Sequence, residues 1–351
     1  MFEDIPSILT AKELLDKAVR KASRITVEDK NAVYRARKTE AAKARCMAET
    51  IDSALSRYVT SFPSTDGMSP FYRELIAIVL TEIPYGRKKE ERDGASGIDS
   101  LKKSLGAIDW ARKTCVDITS KAISQMVKSK SPEFVKAKRA EIFGRMASIL
   151  NQVDYNLRFL DDARRKVRKL PTIEPTNPTI VVAGYPNVGK SSFIRMVSTG
   201  EPEIAEYPFT TKGILIGHFE LGEKDWERKR YQIVDTPGLL DRSPEEQNDI
   251  EKQAMLALRY LADVILFIID PSGHCGYTLD RQRKLLERVS VNFAGMPIVV
   301  CENKSDLGAS TDSAYPKIST LTGEGVESLM ELILKTIPKD EFHLEGESTL
   351  L

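Results

Sequence analysis

The sequence predicts two domains: an all-α helical bundle over residues 1–170 and, behind a linker at 171–178, an α/β domain over 179–339 with a mostly parallel sheet and helices on both faces. Three observations lead there. Before Pro171, apolar residues recur at helical spacings of three and four; after it, short apolar runs alternate with helical stretches, the pattern of a parallel sheet. The third is Gly184-Tyr185-Pro186-Asn187-Val188-Gly189-Lys190-Ser191, which matches G-x-x-x-x-G-K-[ST]. It directly follows the apolar run Ile180-Val181-Val182-Ala183, the strand such a loop needs on its N-terminal side.

In the bundle, Thr10 with Glu13 reads as a capping box, and Ala11, Leu14, Leu15, Ala18, Val19 and Ala22 then fall on one helical face. A long helix is expected from about Val27 to Val59, stopped by the turn Ser61-Phe-Pro-Ser-Thr-Asp-Gly67. Ser69-Pro70 and Ser131-Pro132 each place an N-cap before a proline in the first helical position, where its missing N–H does no harm. Residues 84–97 form a charged loop, and Pro171-Thr-Ile-Glu-Pro-Thr-Asn-Pro178 punctuates the chain as a linker. Strands are expected at 179–183, 213–220, 230–235, 262–269 and 297–302, with a polar tail at 340–351. The strand ends gather the motifs at the carboxyl edge of the sheet, where open α/β sheets bind ligands.

At 351 residues with 41% hydrophobic content, each domain can bury its own core. Met1 to Leu9 lacks the basic start and long apolar segment of a signal peptide, and no apolar run approaches membrane-spanning length, so a soluble, cytoplasmic chain is expected. Cys46, Cys115, Cys275 and Cys301 show no C-x-x-C spacing, and with three histidines there is no zinc-ligand cluster; buried thiols are expected. The formal net charge of +1 hides an asymmetry: residues 1–170 hold 34 Lys and Arg against 23 Asp and Glu, the remainder 18 against 28. Such a split points the first half toward a polyanion, nucleic acid or an acidic membrane, with solvated helix faces as the plainer alternative.

Four strings in the second half together describe a guanine-nucleotide site. In the first, backbone N–H groups at a helix N-terminus answer the charge of a triphosphate. There Tyr185, Pro186, Asn187, Val188, Gly189, Lys190, Ser191 and Ser192 are the expected contacts, with Lys190 on the β and γ phosphates and the Ser191 hydroxyl on Mg²⁺. In the second, Thr210-Thr211, Thr211 offers a hydroxyl to Mg²⁺ and a backbone contact to the γ-phosphate, with Thr210 its competitor. In the third, Asp235-Thr-Pro-Gly238, Asp235 ends a strand where it can hold a water of the Mg²⁺ shell, and Gly238 presents an N–H to the γ-phosphate. Lys190, Thr211 and Gly238 are the residues expected to serve catalysis.

Base choice falls to the fourth string, Asn303-Lys304-Ser305-Asp306. Guanine offers two adjacent donors, N1–H and the exocyclic amine, that one carboxylate can accept together, and adenine does not. Asp306 therefore favours GTP or GDP over adenine nucleotides, because a carboxylate left unpaired by the wrong base makes rejection strong. Ser319, Thr320 and Leu321, before Gly323-Glu-Gly325, would bring backbone N–H groups to the guanine carbonyl; taken singly, an Asx turn explains Asp306 as well. The residue after Gly238 is Leu239, where many GTPases place the glutamine that orients the attacking water, so slow intrinsic hydrolysis is expected. A partner's group or a monovalent cation such as K⁺ could speed it, and Asn187 either ligates that cation or only stabilises the turn.

The chain resembles the nucleolar GTP-binding protein family within the Obg-type P-loop GTPases. The likeness runs through Gly184 to Phe193, Tyr207-Pro-Phe-Thr-Thr-Lys212, Asp235-Thr-Pro-Gly-Leu-Leu-Asp241 and Gly273-His-Cys-Gly276. It also covers Thr10-Ala-Lys-Glu-Leu14, Phe143-Gly-Arg-Met-Ala147 and Leu170-Pro-Thr-Ile-Glu-Pro175 of the first half. It implies a GTPase that assists assembly of the large ribosomal subunit, alongside other assembly factors, with the basic bundle on ribosomal RNA and the GTPase domain reporting nucleotide state. Eukaryotic members continue far past the GTPase domain, so the end at Leu351 suggests a compact version from a cell without a nucleus, expected to be a monomer.

Charge alone supports the RNA role: Lys128, Lys130, Lys136, Lys138 and Arg139, then Arg164, Arg165, Lys166, Arg168 and Lys169, are clustered enough to meet RNA phosphates. No RNA motif with stacking aromatics is visible, which favours recognition by shape and phosphate. Two other readings compete. One is a membrane-associated GTPase, weakened because no segment pairs a bulky apolar face with a cationic one; the other is a nucleotide-gated scaffold in which hydrolysis hardly matters.

Overall fold

The computed structural model describes residues 2–85, 97–205, 207, 213–222, 228–235, 249–308 and 314–338, side chains at 249–254 excepted. The chain forms two compact units. One is Met1–Met68 with Val79–Arg168; the other is Ser69–Ile78 with Lys169–Leu351. Residues 86–96 of the charged loop and the tail at 340–351 lie outside the described residues.

The helical unit contains α1 (Ala11–Ser23), α2 (Ala32–Ser61), α4 (Gly97–Lys128), α5 (Pro132–Gln152) and α6 (Asp154–Val167). Thr10 caps α1 with both arms of the capping box in place, and Ala11, Leu14, Leu15, Ala18 and Ala22 are buried, while Val19 is 39% exposed and belongs to the outer face. α2 starts five residues later than the periodicity suggests. Asp29 Oδ1 accepts the Asn31 N–H (2.9 Å), and Asn31 Oδ1 accepts those of Val33 (2.9 Å) and Tyr34 (3.3 Å), so polar side chains claim the backbone before the helix begins. Ser131 caps α5 ahead of Pro132. Arg112 ties α4 to Asp52 of α2 (2.9 Å), and Arg139 of α5 pairs with Glu40 of α2.

The second unit holds a six-stranded sheet among the described residues: β1 (Thr179–Ala183), β2 (Glu203–Ala205), β3 (Ile214–Leu221), β4 (Lys229–Asp235), β5 (Val264–Ile269) and β6 (Ile298–Glu302), in the order β2-β3-β4-β1-β5-β6. β4, β1, β5 and β6 pair in parallel; β3 is antiparallel to β4, and β2 to β3. The connection from β3 to β4 is too short for a crossover helix, which forces the antiparallel turn. β1 and β5 are buried at every position, as interior strands covered on both faces must be.

Helices α7 (Lys190–Val197), α8 (Asp249–Leu261), α9 (Leu279–Asn292) and α10 (Val326–Thr336) complete the layers. Phe193 and Ile194 of α7 are fully buried in one core with Ile180, Ile233 and Ile268. Each such side chain contributes about 1.5–3 kcal/mol, and together they fix the start of α7 over the sheet edge.

The ten residues Ser69–Ile78 that join this unit lie at the start of α3 (Pro70–Thr81). The Tyr72 hydroxyl sits within hydrogen-bond reach of the carbonyls of Ile173 (2.7 Å) and Pro171 (2.9 Å) and accepts the Ile173 N–H (2.8 Å). Gln232 of β4 holds the next residue in both directions: its Oε1 accepts the Glu174 N–H (2.9 Å) and its Nε2 donates to the Glu174 carbonyl (2.8 Å). The proline-rich linker is therefore fastened to the sheet.

Candidate nucleotide site

The parallel strands deliver their motifs to one edge. β1 runs into the glycine loop, β4 ends at Asp235, β5 is followed by Asp270, and β6 by Asn303. In the loop Gly184 (φ 139°) lies so close to β5 that a Cβ would stand 2.6 Å from the Ile268 carbonyl oxygen. Gly189 (φ 109°) is the N-cap of α7, and a Cβ there would meet Asn303 Nδ2 at 2.1 Å. Both positions need glycine for left-handed backbone and for clearance. Asn187 is left-handed too (φ 65°), exposed at the tip of the loop.

Lys190 is buried, and its ammonium donates to the carbonyls of Gly184 (2.8 Å) and Tyr185 (3.1 Å), folded back over the loop it belongs to. Val188 packs into the core beneath, and Pro186 and Ser192 are exposed. Ser191 Oγ donates to Asp235 Oδ2 at 2.7 Å, with Asp235 2% exposed. A hydroxyl and a carboxylate at a helix N-terminus are hard oxygen donors of the kind Mg²⁺ takes. Thr210, Thr211, Gly238 and Leu239 lie outside the described residues.

Asn303 is the hinge pin of the site. Its Nδ2 donates to the Val188 carbonyl (2.8 Å) and to Thr320 Oγ1 (3.0 Å), and its Oδ1 accepts the Thr320 N–H (3.0 Å). One buried amide thereby joins the phosphate loop, the loop after β6 and the 319–321 segment. Ser319 Oγ donates to Asp306 Oδ1 (2.6 Å) and accepts the N–H groups of Leu321 (3.3 Å) and Thr322 (3.2 Å). Asp306 is exposed, while Ser319 is buried, so a buried hydroxyl orients the acid. Leu321 is 81% exposed.

Sequence reasoning gave no role to Asp270, which is wholly buried and pairs with Lys304 Nζ at 2.6 Å. Burial pushes its carboxyl up, yet Lys304, the Ser272 hydroxyl and the Cys275 N–H outweigh that and hold it below the usual carboxylate range. The signal that could have found it is an acidic residue closing an apolar strand just before Ser272-Gly-His-Cys-Gly276. The four cysteines are buried; burial pushes the Cys115 thiol up to about 12 and that of Cys301 up as well, which leaves neither a ready nucleophile.

The ten cations of the helical half divide. Lys138 pairs with Glu141 (2.8 Å), Arg164 and Arg165 with Asp161 (3.1 and 2.5 Å), Arg139 with Glu40 and Lys166 with Glu82. Arg164, Arg165 and Lys166 also occupy the last turn of α6, where cations suit the helix dipole. Lys128, Lys130, Lys136 and Arg168 are exposed and make no ion pair among the described residues; Lys169 is exposed. No helix among the described residues is long and apolar enough to cross a membrane.

Sheet order, glycine loop and the clamp through Asn303 define the class: a P-loop GTPase domain behind an all-α bundle. Two family profiles match, the NOG1 N-terminal helical domain over residues 2–174 and nucleolar GTP-binding protein 1 over residues 249–306. An uncharacterized protein of Methanocaldococcus jannaschii is 38% identical over 87% of this chain and 81% of its own. Nucleolar GTP-binding protein 1 of Arabidopsis thaliana is 30% identical over 93% of this chain and 50% of its own. A solved structure described as nucleolar GTP-binding protein 1 from Plasmodium falciparum shares 36% identity over 48% of this chain and 90% of its own, with a TM-score of 0.41. The chain belongs to the nucleolar GTP-binding protein 1 family, and spans about half the length of its plant and Drosophila relatives (50% and 46%).

Proposed function

We propose that the chain is a GTP-binding and GTP-hydrolysing switch that assists assembly of the large ribosomal subunit, holding precursor particles through ribosomal RNA in a nucleotide-dependent way. The observation that carries the nucleotide-binding core of this reading is the Asn303 clamp, which sets the base-reading loop and the phosphate loop in one frame at 2.8 Å. The plant and Drosophila relatives, named nucleolar GTP-binding protein 1, support the GTP-binding part of the reading.

In this reading the N–H groups at the start of α7 receive the phosphates, and Lys190 exchanges its two carbonyl partners for phosphate oxygens. Mg²⁺ would be held by Ser191, by Thr211 and, through water, by Asp235, and when bound it supplies charge neutralisation between the β and γ phosphates. Asp306 accepts the two guanine donors, steadied by Ser319. The loop of Thr211 and the segment of Gly238 would order around the triphosphate and loosen with the diphosphate. With Leu239 where a glutamine orients water, unaided turnover is slow, and Asn187 is a candidate ligand for an activating K⁺. Equal single-turnover rates in potassium and sodium would remove the role for K⁺.

Affinity purification of the full chain with a nonhydrolysable GTP analogue tests the whole reading. Large-subunit precursors should be enriched over the GDP-loaded control. Equal recovery in both states, or none, contradicts it.

A further inference from the structure

Asp270 lies outside the four motifs, yet it contacts the base-reading loop and begins a turn that reaches the phosphate loop. One carboxylate oxygen accepts from Lys304 Nζ (2.6 Å) and the Cys275 N–H (2.8 Å). The other accepts from the Ser272 N–H (3.0 Å) and the Ser272 hydroxyl. Its backbone is held as firmly: the Asp270 N–H donates to Gln282 Oε1 (2.8 Å), and Gln282 Nε2 donates to the Asp270 carbonyl (2.9 Å) and that of Tyr277 (3.1 Å). Gln282 is 1% exposed, so the carboxylate is anchored to α9 and has little freedom to follow its partner.

Lys304 is fixed at both ends. Its backbone is left-handed (φ 68°), uncommon for a side chain of this size, and its ammonium is tethered to a wholly buried acid. At the far end of the same turn, Tyr277 stacks on Tyr185 of the phosphate loop, with centroids 4.1 Å apart and planes at 21°. Residues 270–277 therefore brace the base side of the site through Lys304 and the phosphate side through Tyr185.

We infer that Asp270 is a positioning residue for guanine-nucleotide binding, fixing Lys304 in its working arrangement before the nucleotide arrives. The inference rests on the guanine-nucleotide reading above. A free lysine loses rotamer freedom when it orders against a ligand; here that loss falls on folding, and binding is spared it. Asp270 also neutralises Lys304, which leaves Lys190 as the cation for the phosphates and makes the lysine stem, not its charge, the part offered to the ligand.

The test is titration of the full chain with fluorescent GDP and GTP, comparing Asp270→Asn in the wild-type and in the Lys304→Met background. Asp270→Asn should weaken both nucleotides alike, by about tenfold, the size expected of directly coupled residues. In the Lys304→Met background it should cause no further loss. Unchanged affinity, or the same loss in both backgrounds, overturns the inference. Wild-type protein that takes up no guanine nucleotide sinks the reading beneath it instead, before any variant is made. If Asp270→Asn does not fold, amine labelling of the nucleotide-free wild-type chain decides: Lys304 should react several-fold more slowly than the exposed Lys284, and equal rates overturn the proposal.

Discussion

The side-chain amide of Asn303 donates to the carbonyl of Val188 across 115 positions of sequence, at 2.8 Å. Two loops that would otherwise move separately share one buried bond, and Thr320 adds a third segment to the same residue. A site assembled this way is organised before ligand arrives.

Replacing Asn303 by alanine should therefore harm nucleotide binding more than stability alone explains. The change orphans the Val188 carbonyl and the Thr320 N–H, each worth about 1–3 kcal/mol when buried and unsatisfied. Affinity for GDP and GTP should fall by about a hundredfold, roughly 2.7 kcal/mol, read by calorimetry. Wild-type affinity in Asn303→Ala would mean the loops are held by something else.

Tyr72 gives a prediction in pH. Burial pushes its phenol up to about 12 from an ordinary 10.0. A raised value means the folded chain favours the protonated form: the contribution is complete below pH 10 and disappears as pH climbs through 12. At 1.36 kcal/mol per unit of displacement, roughly 2–3 kcal/mol is at stake. Denaturant melts between pH 9 and 12 should show wild-type stability falling more steeply than that of Tyr72→Phe, and parallel curves would show that burial of this phenol carries no proton-linked stability.

The exposed lysines and the paired arginines of the helical half should separate experimentally. Changing Lys128, Lys130 and Lys136 together to alanine should flatten the salt dependence of ribosomal RNA binding by about 2–3 in log–log slope, at 0.7–0.9 per phosphate contact. It should barely move the melting temperature. Arg164→Ala, whose side chain is 13% exposed and bonded to Asp161, should do the reverse. A triple variant with an unchanged slope removes these lysines from any RNA contact.

Much of this was legible in the sequence, for physical reasons that differ from element to element. The interior strands β1 and β5 are buried throughout and apolar at every position but Thr179, because both faces are covered, so their positions could be read directly. The phosphate loop was legible because its glycines and its lysine are each forced by clearance or charge. β2 was not: three residues with one buried position carry no periodicity. The start of α2 was hidden because Asp29 and Asn31 spend their side chains on nearby N–H groups, which the apolar spacing does not register. Nor could spacing reveal that Ser69–Ile78 joins the unit of the sheet, since Tyr72 and Ile173 are 101 positions apart. The charge runs carry two meanings that spacing does not separate: at Arg164, Arg165 and Lys166 a helix end and acidic neighbours give the cations a structural role of their own. Asp270 escaped because a buried acid closing a strand resembles any turn residue until its partner, 34 positions on, is seen beside it.

The central claim is that the carboxyl edge of this sheet takes a guanine nucleotide and that Asp306 chooses the base. Calorimetric titration of the wild-type chain and of Asp306→Ala with GDP, GTP, ADP and ATP in the presence of Mg²⁺ tests it most directly. Wild-type protein should bind both guanine nucleotides at least a hundredfold more tightly than the adenine ones, and Asp306→Ala should lose most of that margin. Equal affinity for guanine and adenine nucleotides in the wild-type chain, or no heat with any of the four, would contradict the account.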